Sequence, residues 1–351
     1  MSVKYNQITK IKVFGIGGAG CNAVNRMVEE GMQAVEFYVV NTDLQALNTS
    51  KATNKILLGK NLTGGYGAGG DPKVGRESAI EAEKEIREAM KNADMIFLAA
   101  GMGGGTGTGA APFMAKIAKE FKALTVAIVT KPFDYEGPKR MKVALAGIEE
   151  LKEHVDNLIT VSNNLLMEEL GNIPLVDAFK EADNVLRQGV QTVTDLIGVS
   201  SLVNLDFADV RNVMQGQGSA LIGIGMAQGE NKAVEAAEKA INSPLLEARI
   251  YGAKKAIVNI AGGRGVTLYD EQYAMDYIRE ITGPEVEIIS GLAINENLGE
   301  NIIVTIIATG FSDSPAYRPM KSSGGNSLVE GDENETAEGD LLDFFNKRNK
   351  G

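Results

Sequence analysis

Five glycines and two threonines make up the run Gly103-Gly104-Gly105-Thr106-Gly107-Thr108-Gly109. Before it stands the apolar stretch Met95 to Ala100, which reads as a buried parallel strand. After it, Ala110 to Phe121 reads as a helix with Pro112 in its first turn. A strand, a glycine turn and a helix N-terminus form a phosphate site from backbone alone. Without side chains in the way, successive N–H groups converge on an oxyanion, and the helix dipole adds partial positive charge. Thr106 and Thr108 add hydroxyl donors. A tight turn needs only one or two glycines, so the run exceeds that requirement.

Two further glycine clusters share this context. Gly15-Ile16-Gly17-Gly18-Ala19-Gly20 follows a strand at Ile11 to Phe14 and precedes a helix from Cys21 to about Glu30, fitting G-x-G-x-x-G. The next strand, Phe37 to Val40, ends in Asn41-Thr42-Asp43, where a ribose-reading acid sits in a dinucleotide fold. Alone, this opening describes an NAD-dependent oxidoreductase. Gly64 to Gly70 then ends at Asp71-Pro72, an N-cap and first helical residue for a helix to about Lys91. One dinucleotide needs one pyrophosphate loop, whereas three loops at carboxyl ends of parallel strands suit a triphosphate. Arg140, in the first turn of a helix from about Pro138 to Val155, opposes the helix dipole, and a ligand contact would explain it.

Asp206 and Asp209 admit two readings. Asp-x-x-Asp before Val210 resembles an N-cap with its capping-box partner, as in a non-enzymatic nucleotide-binding scaffold. Alternatively, the pair polarises water or holds a cation near a phosphate. Position weighs on the choice. Leu175 to about Ser200 reads as one helix of roughly 35–40 Å, about the width of a domain. It should begin at the phosphate edge and deliver these acids to the far side. There they would reach a phosphate bound to the next chain.

The remaining sequence must position these groups. With 351 residues and 44% hydrophobic content, the chain can bury two cores. Strand–helix alternation predicts a doubly wound, mainly parallel α/β nucleotide-binding domain over residues 1–174, followed by a central helix over 175–203. Residues 204–311 change rhythm and read as a second α+β domain. Residues 312–351 read as a disordered linker with an apolar-then-basic docking peptide at Leu341 to Arg348. One cysteine and one histidine exclude a Cys/His zinc cluster, and any metal should be a hard ion such as Mg²⁺. A net charge of −11 without a basic-aromatic stripe argues against nucleic acid. No apolar run reaches membrane-spanning length and Met1 to Lys10 has no signal-peptide pattern, so direct membrane insertion is not expected and a cytoplasmic setting is.

GGGTGTG at Gly103 to Gly109, NLDFAD at Asn204 to Asp209, and Phe179-Lys180-Glu181-Ala182-Asp183 together resemble the bacterial FtsZ cell-division GTPases of the tubulin superfamily. The resemblance runs in order from about Ile8 to Phe311. It implies GTP/GDP with Mg²⁺, head-to-tail self-assembly at the mid-cell division site, and hydrolysis completed between adjacent subunits. It places Gly18, Ala19, Gly20, Cys21 and Asn22, with Gly105, Thr106 and Gly107, around the phosphates. Ala68-Gly69-Gly70 becomes the γ-phosphate-sensing loop, and Glu136 and Arg140 contact ribose and phosphate. Asn163 and Asp183 read guanine, Phe179 packs on the base, and Asn204, Asp206 and Asp209 act in hydrolysis. Physics agrees for Asp183: a carboxylate accepts from guanine N1–H and the 2-amino group, donors that adenine lacks. The tail would bind membrane-anchoring and regulatory division proteins, although it lacks the proline usual in the family's docking peptide.

Overall fold

The computed structural model describes residues 9–32, 35–171, 173–198, 206–243, 250 and 252–311. Asn204 and the whole tail from residue 312 lie outside them.

The apolar runs become β1 (Ile11–Ile16), β2 (Val35–Asn41), β3 (Asn54–Leu57), β4 (Met95–Gly101), β5 (Leu124–Lys131) and β6 (Asn157–Ser162). Among them run α1 (Gly17–Glu29), α2 (Leu44–Thr49), α3 (Pro72–Glu81), α4 (Glu83–Met90), α5 (Thr106–Glu120) and α6 (Pro138–Lys152). Then come α7 (Asn163–Leu170), α8 (Leu175–Gly198) and α9 (Phe207–Met214). The remainder is β7 (Gly218–Ala227), α10 (Lys232–Ile241), β8 (Lys255–Gly262), α11 (Leu268–Thr282), β9 (Glu287–Ile294) and β10 (Ile302–Thr309).

The ten strands of the described residues form one sheet in the order β3-β2-β1-β4-β5-β6-β7-β10-β8-β9. From β3 to β6 every pairing is parallel. Such strands are covered on both faces, which is why their sequences read as continuous apolar runs. Val13, Phe97 and Val126 face α8 through Leu186, Val190 and Val193, while Phe14, Ile96 and Leu98 join Ala110, Ala111 and Met114 of α5. β7 joins the halves. It pairs parallel with β6 over three residues and antiparallel with β10, and α10 and α11 close a further core. Sequence reading missed β3 and β7, the latter because Gly218, Gly223 and Gly225 dilute its apolar pattern.

Three helix boundaries need correction. α1 begins at Gly17 rather than Cys21, and α5 at Thr106 rather than Ala110. Pro112 therefore stands inside α5, not in its first turn. Glycine and threonine form helices poorly, so propensity places the start too late; the neighbouring backbone requires it earlier. The helix expected from Pro72 to Lys91 is broken at Ala82, giving α3 and α4. The long helix runs Leu175–Gly198, as expected within two residues.

Candidate functional site

The strand order reverses between β1 and β4, which pair with Ile16 opposite Ala100. At such a switch point the connections leave in opposite directions and open a crevice at the carboxyl edge. Two of the glycine runs emerge there side by side. A Cβ on Gly17, whose φ is +72°, would stand 2.9 Å from the Gly107 nitrogen. The first turns of α1 and α5 thus converge.

Both helix starts are left open. Neither α1 nor α5 has a side-chain cap or an acidic residue in its first turn. The first N–H groups of each, from Ile16 to Ala19 and from Gly105 to Thr108, lack intrahelical partners. Two adjacent uncapped N-termini form a concave set of donors with matching dipoles. The third cluster differs. Asp71 caps α3 by accepting from Lys73 N at 2.9 Å. Its loop lies across the second: a Cβ on Gly105 would be 2.8 Å from the Ala68 Cβ and 2.9 Å from the Asp71 nitrogen. Gly69 and Gly70, at φ of +60° and +78°, meet no heavy atom within 4 Å of a built Cβ.

The glycines consequently divide into two kinds. Gly18 and Gly104 likewise have nothing within 4 Å of a built Cβ, and face open space. On Gly20 a Cβ would overlap the Ala99 carbonyl, and on Gly109 that of Pro72. These serve close helix–strand and helix–helix approach. Gly18→Ala and Gly104→Ala should fold normally and, in a phosphate crevice, bind nucleotide more weakly. Gly20→Ala and Gly109→Ala should lower stability by about 1–3 kcal/mol, as overpacking does. Thermal melting beside nucleotide titration separates the two outcomes.

Other anticipated residues occupy mixed positions. Thr106 Oγ1 lies 2.6 Å from Thr42 Oγ1, at the end of β2. Thr108 is buried, and its hydroxyl accepts from Gly103 N at 2.8 Å, closing the loop upon itself. Gly103 packs against Arg140, whose Cγ would be 2.9 Å from a built Cβ. Asp43 caps α2, accepting from Gln45 N at 2.8 Å and Ala46 N at 3.1 Å. Both side chains therefore have internal partners that loop sequence does not reveal. Cys21 points into the sheet, with Sγ 3.5 Å from the Gly15 carbonyl, and burial pushes its thiol up to about 12. Asn22 is exposed on the first turns of α1.

A second group of residues lies where β5, β6 and α8 meet. Glu136 accepts from Phe133 N at 2.9 Å and pairs with Arg140 at 3.0 Å. Phe133 packs edge-on against Phe179, 5.4 Å between centroids. Phe179 is 43% exposed, too open for a core residue. Asn164 Oδ1 accepts from Asp134 N at 2.9 Å, tying α7 to the same loop. Asn163 is buried, yet its Oδ1 has no hydrogen-bond partner. Such an orphaned acceptor is uncommon and fits a ligand donor. Asp183 stands one turn beyond Phe179 on α8, facing Arg26 of α1, Nε to Oδ2 3.6 Å. Sequence reading overlooked Arg26; nothing in its local pattern separates it from any other helical arginine.

Burial raises the Asp183 carboxyl to about 7, Arg26 offsetting only part of that effect. Accepting two donors from a base requires the charged form. For a base that Asp183 receives through two donors, as the resemblance implies, affinity should rise about tenfold from pH 6 to pH 8 and level off above. Titration with guanosine, which carries no phosphate to ionise, is the measurement.

Asp206 and Asp209 lie elsewhere. Asp206 stands at the N-cap position of α9, but its side chain makes no capping hydrogen bond, and both carboxylates are exposed. The capping reading fails for that side chain. α9 sits at the amino edge of the sheet: Arg211 donates to the Asp94 carbonyl just before β4, at 3.3 Å. Gly216 N, just past α9, donates to Asp156 Oδ1 just before β6, at 3.1 Å. The seven residues of β4 span roughly 20 Å between this edge and the glycine loops. One chain therefore presents the uncapped helix starts and these two carboxylates on opposite edges of the sheet. Among the described residues no group of three or more His, Cys, Asp or Glu could hold a metal ion.

Residues 10–171 match the family model described as the Tubulin/FtsZ family GTPase domain, and residues 218–312 match that of the FtsZ family C-terminal domain. Among solved structures, the chain is similar to an empty FtsZ dimer of M. jannaschii at 45% identity and TM-score 0.83. That match covers 86% of this chain and 88% of that one. Two proteins of Haloferax volcanii share the fold. A CetZ2 GTPgS-bound protofilament matches at 21% identity and TM-score 0.74, over 87% of this chain and 94% of that one. A CetZ1 GDP-bound monomer matches at 22% and 0.76, over 88% and 96%. The M. jannaschii relative is archaeal, so the match does not establish the bacterial origin suggested by the motifs.

Proposed function

Since this chain belongs to the FtsZ family of tubulin-like GTPases, we propose that it joins copies of itself head to tail and hydrolyses GTP at each junction. It is a GTP-binding, polymerising cell-division protein. The observation that carries the two-subunit site is the placement of uncapped helix starts and exposed carboxylates on opposite edges of one sheet. A heterologous contact that does not close generates a filament, and in it the acids of one chain meet the phosphates of the next.

In this reading Gly18, Ala19 and Gly20 with Gly104 to Gly107 surround the phosphates, and Ala68 to Gly70 sense the terminal one. Glu136 and Arg140 lie along the ribose, while Asn163, Phe179 and Asp183 receive the base. Asp206 and Asp209 of the following chain, with Asn204 beside them in sequence, orient the attacking water. Water attacks the γ-phosphorus, the bond to the β–γ bridging oxygen breaks and GDP leaves with that oxygen; one of the water's protons passes toward these carboxylates and the other stays on the released phosphate. The paired Thr42 and Thr106 hydroxyls, 2.6 Å apart, are the oxygen groups that would help hold a Mg²⁺ arriving with the nucleotide. The ion would neutralise phosphate charge.

Mid-cell placement and docking of the tail peptide, Leu341 to Arg348, on membrane-anchoring and regulatory division proteins belong to the same proposal. None of the described helices is long and apolar enough to cross a membrane. Ninety-degree light scattering should rise after adding GTP, and not after GDP or ATP. An unchanged signal at high protein concentration would overturn the filament reading.

A further inference from the structure

The assignment of Asp183 to guanine leaves Arg26 unexplained. Arg26 stands eight residues beyond Gly18 on α1, roughly 12 Å along the helix. That is comparable to the reach from phosphate to base in an extended nucleotide. The pair between Arg26 and Asp183 is thus at the base end of the crevice, half-exposed on the arginine side.

Chemistry makes the pairing informative. Guanine presents N1–H and its 2-amino group on a single carbon, which is a guanidine fragment. A guanidinium offers a carboxylate donors of the same kind, and here Arg26 faces Asp183 through one Nε to Oδ2 approach of 3.6 Å. One set of carboxylate oxygens cannot serve both fully. The geometry points to Arg26 as a specificity-determining place-holder, which occupies the Asp183 carboxylate until guanine displaces it. Adenine, with no such donor pair, cannot make the exchange. This rests on the reading above that Asp183 receives the base.

The surroundings allow the exchange to be local. One turn along both helices Glu30 pairs with Arg187 at 2.9 Å, and Arg187 also donates to Asn184 Oδ1 at 2.8 Å. α1 and α8 therefore stay joined when Arg26 moves. Arg26 is the charged group shown acting on Asp183, and Glu30 on α1 with Lys180, Glu181 and Arg187 on α8 lie within about one turn of the pair along their helices.

The test uses the full chain stripped of nucleotide, with GDP and ADP titrated by calorimetry at pH 8.5, where Asp183 is ionised. Arg26→Ala should bind GDP about 2- to 5-fold tighter, the worth of a partly exposed ion pair. GDP release should slow and ADP binding stay unchanged. Arg26→Lys should lie between, because it keeps the charge but loses the Nε–H that faces Asp183. Unchanged or weaker GDP affinity in both variants would overturn the place-holder. Should Arg26→Ala fail to fold by circular dichroism, Arg26→Lys decides in the same way. Asp183→Asn is the companion. If it keeps the wild-type preference for GDP over ADP, the base assignment itself fails, whatever the Arg26 variants do.

Discussion

Mixed with the unaltered chain, Asp209→Ala should suppress GTP turnover beyond arithmetic dilution. The carboxylate is exposed on α9 at the amino edge, while the uncapped starts of α1 and α5 lie at the carboxyl edge. The substitution leaves the nucleotide crevice untouched, so GTP binding should persist. Each altered subunit instead spoils the site of its neighbour. Removing a carboxylate that orients water in the transition state should lower turnover of the pure variant by about 10²-fold or more. The activity of the unaltered chain should also rise per molecule above a threshold concentration, unlike that of a self-contained hydrolase. Co-assembly with activity falling only in proportion to dilution would show that each chain completes its own site. A scaffold with no turnover at high concentration would restore the non-catalytic reading.

Asp183→Ala should abolish most discrimination between GTP and ATP and weaken assembly with GTP. A site built to accept donors rejects ligands lacking them because its own groups are then left unpaired. Truncation removes that acceptor, leaving N1–H and the 2-amino group of guanine facing a half-buried surface. A loss of about 10²-fold in GTP preference is expected, read by competition binding. In the proposed site the orphaned acceptor Asn163 Oδ1 still receives one base donor, so some preference should remain. Wild-type preference in the variant would remove Asp183 from the base site.

Much of this chain was legible before folding. Glycine clusters after apolar runs state a backbone requirement directly, and the phosphate loops follow from it. The length of α8 follows from an uninterrupted apolar stripe, and the far position of Asp206 and Asp209 follows from that length. Parallel strands announce themselves as unbroken apolar runs because both faces are covered.

Tertiary structure decided the rest. Composition cannot separate Gly104, which faces open space, from Gly109, which lies against Pro72 of another helix. Nor can it tell that Asp43 caps α2 and Thr108 closes its own loop, while Asp206 at an equally suitable position leaves its carboxylate uncapping. In each case a partner distant in sequence or a specific backbone angle chooses between local options of similar energy. The same holds for Arg26 and Asp183, separated by most of the nucleotide-binding fold yet joined by two helices packed on one face of the sheet. Residue type determined which groups carry donors and acceptors suited to phosphate and base; only packing determined which of them are left open at the crevice and which are spent on internal partners.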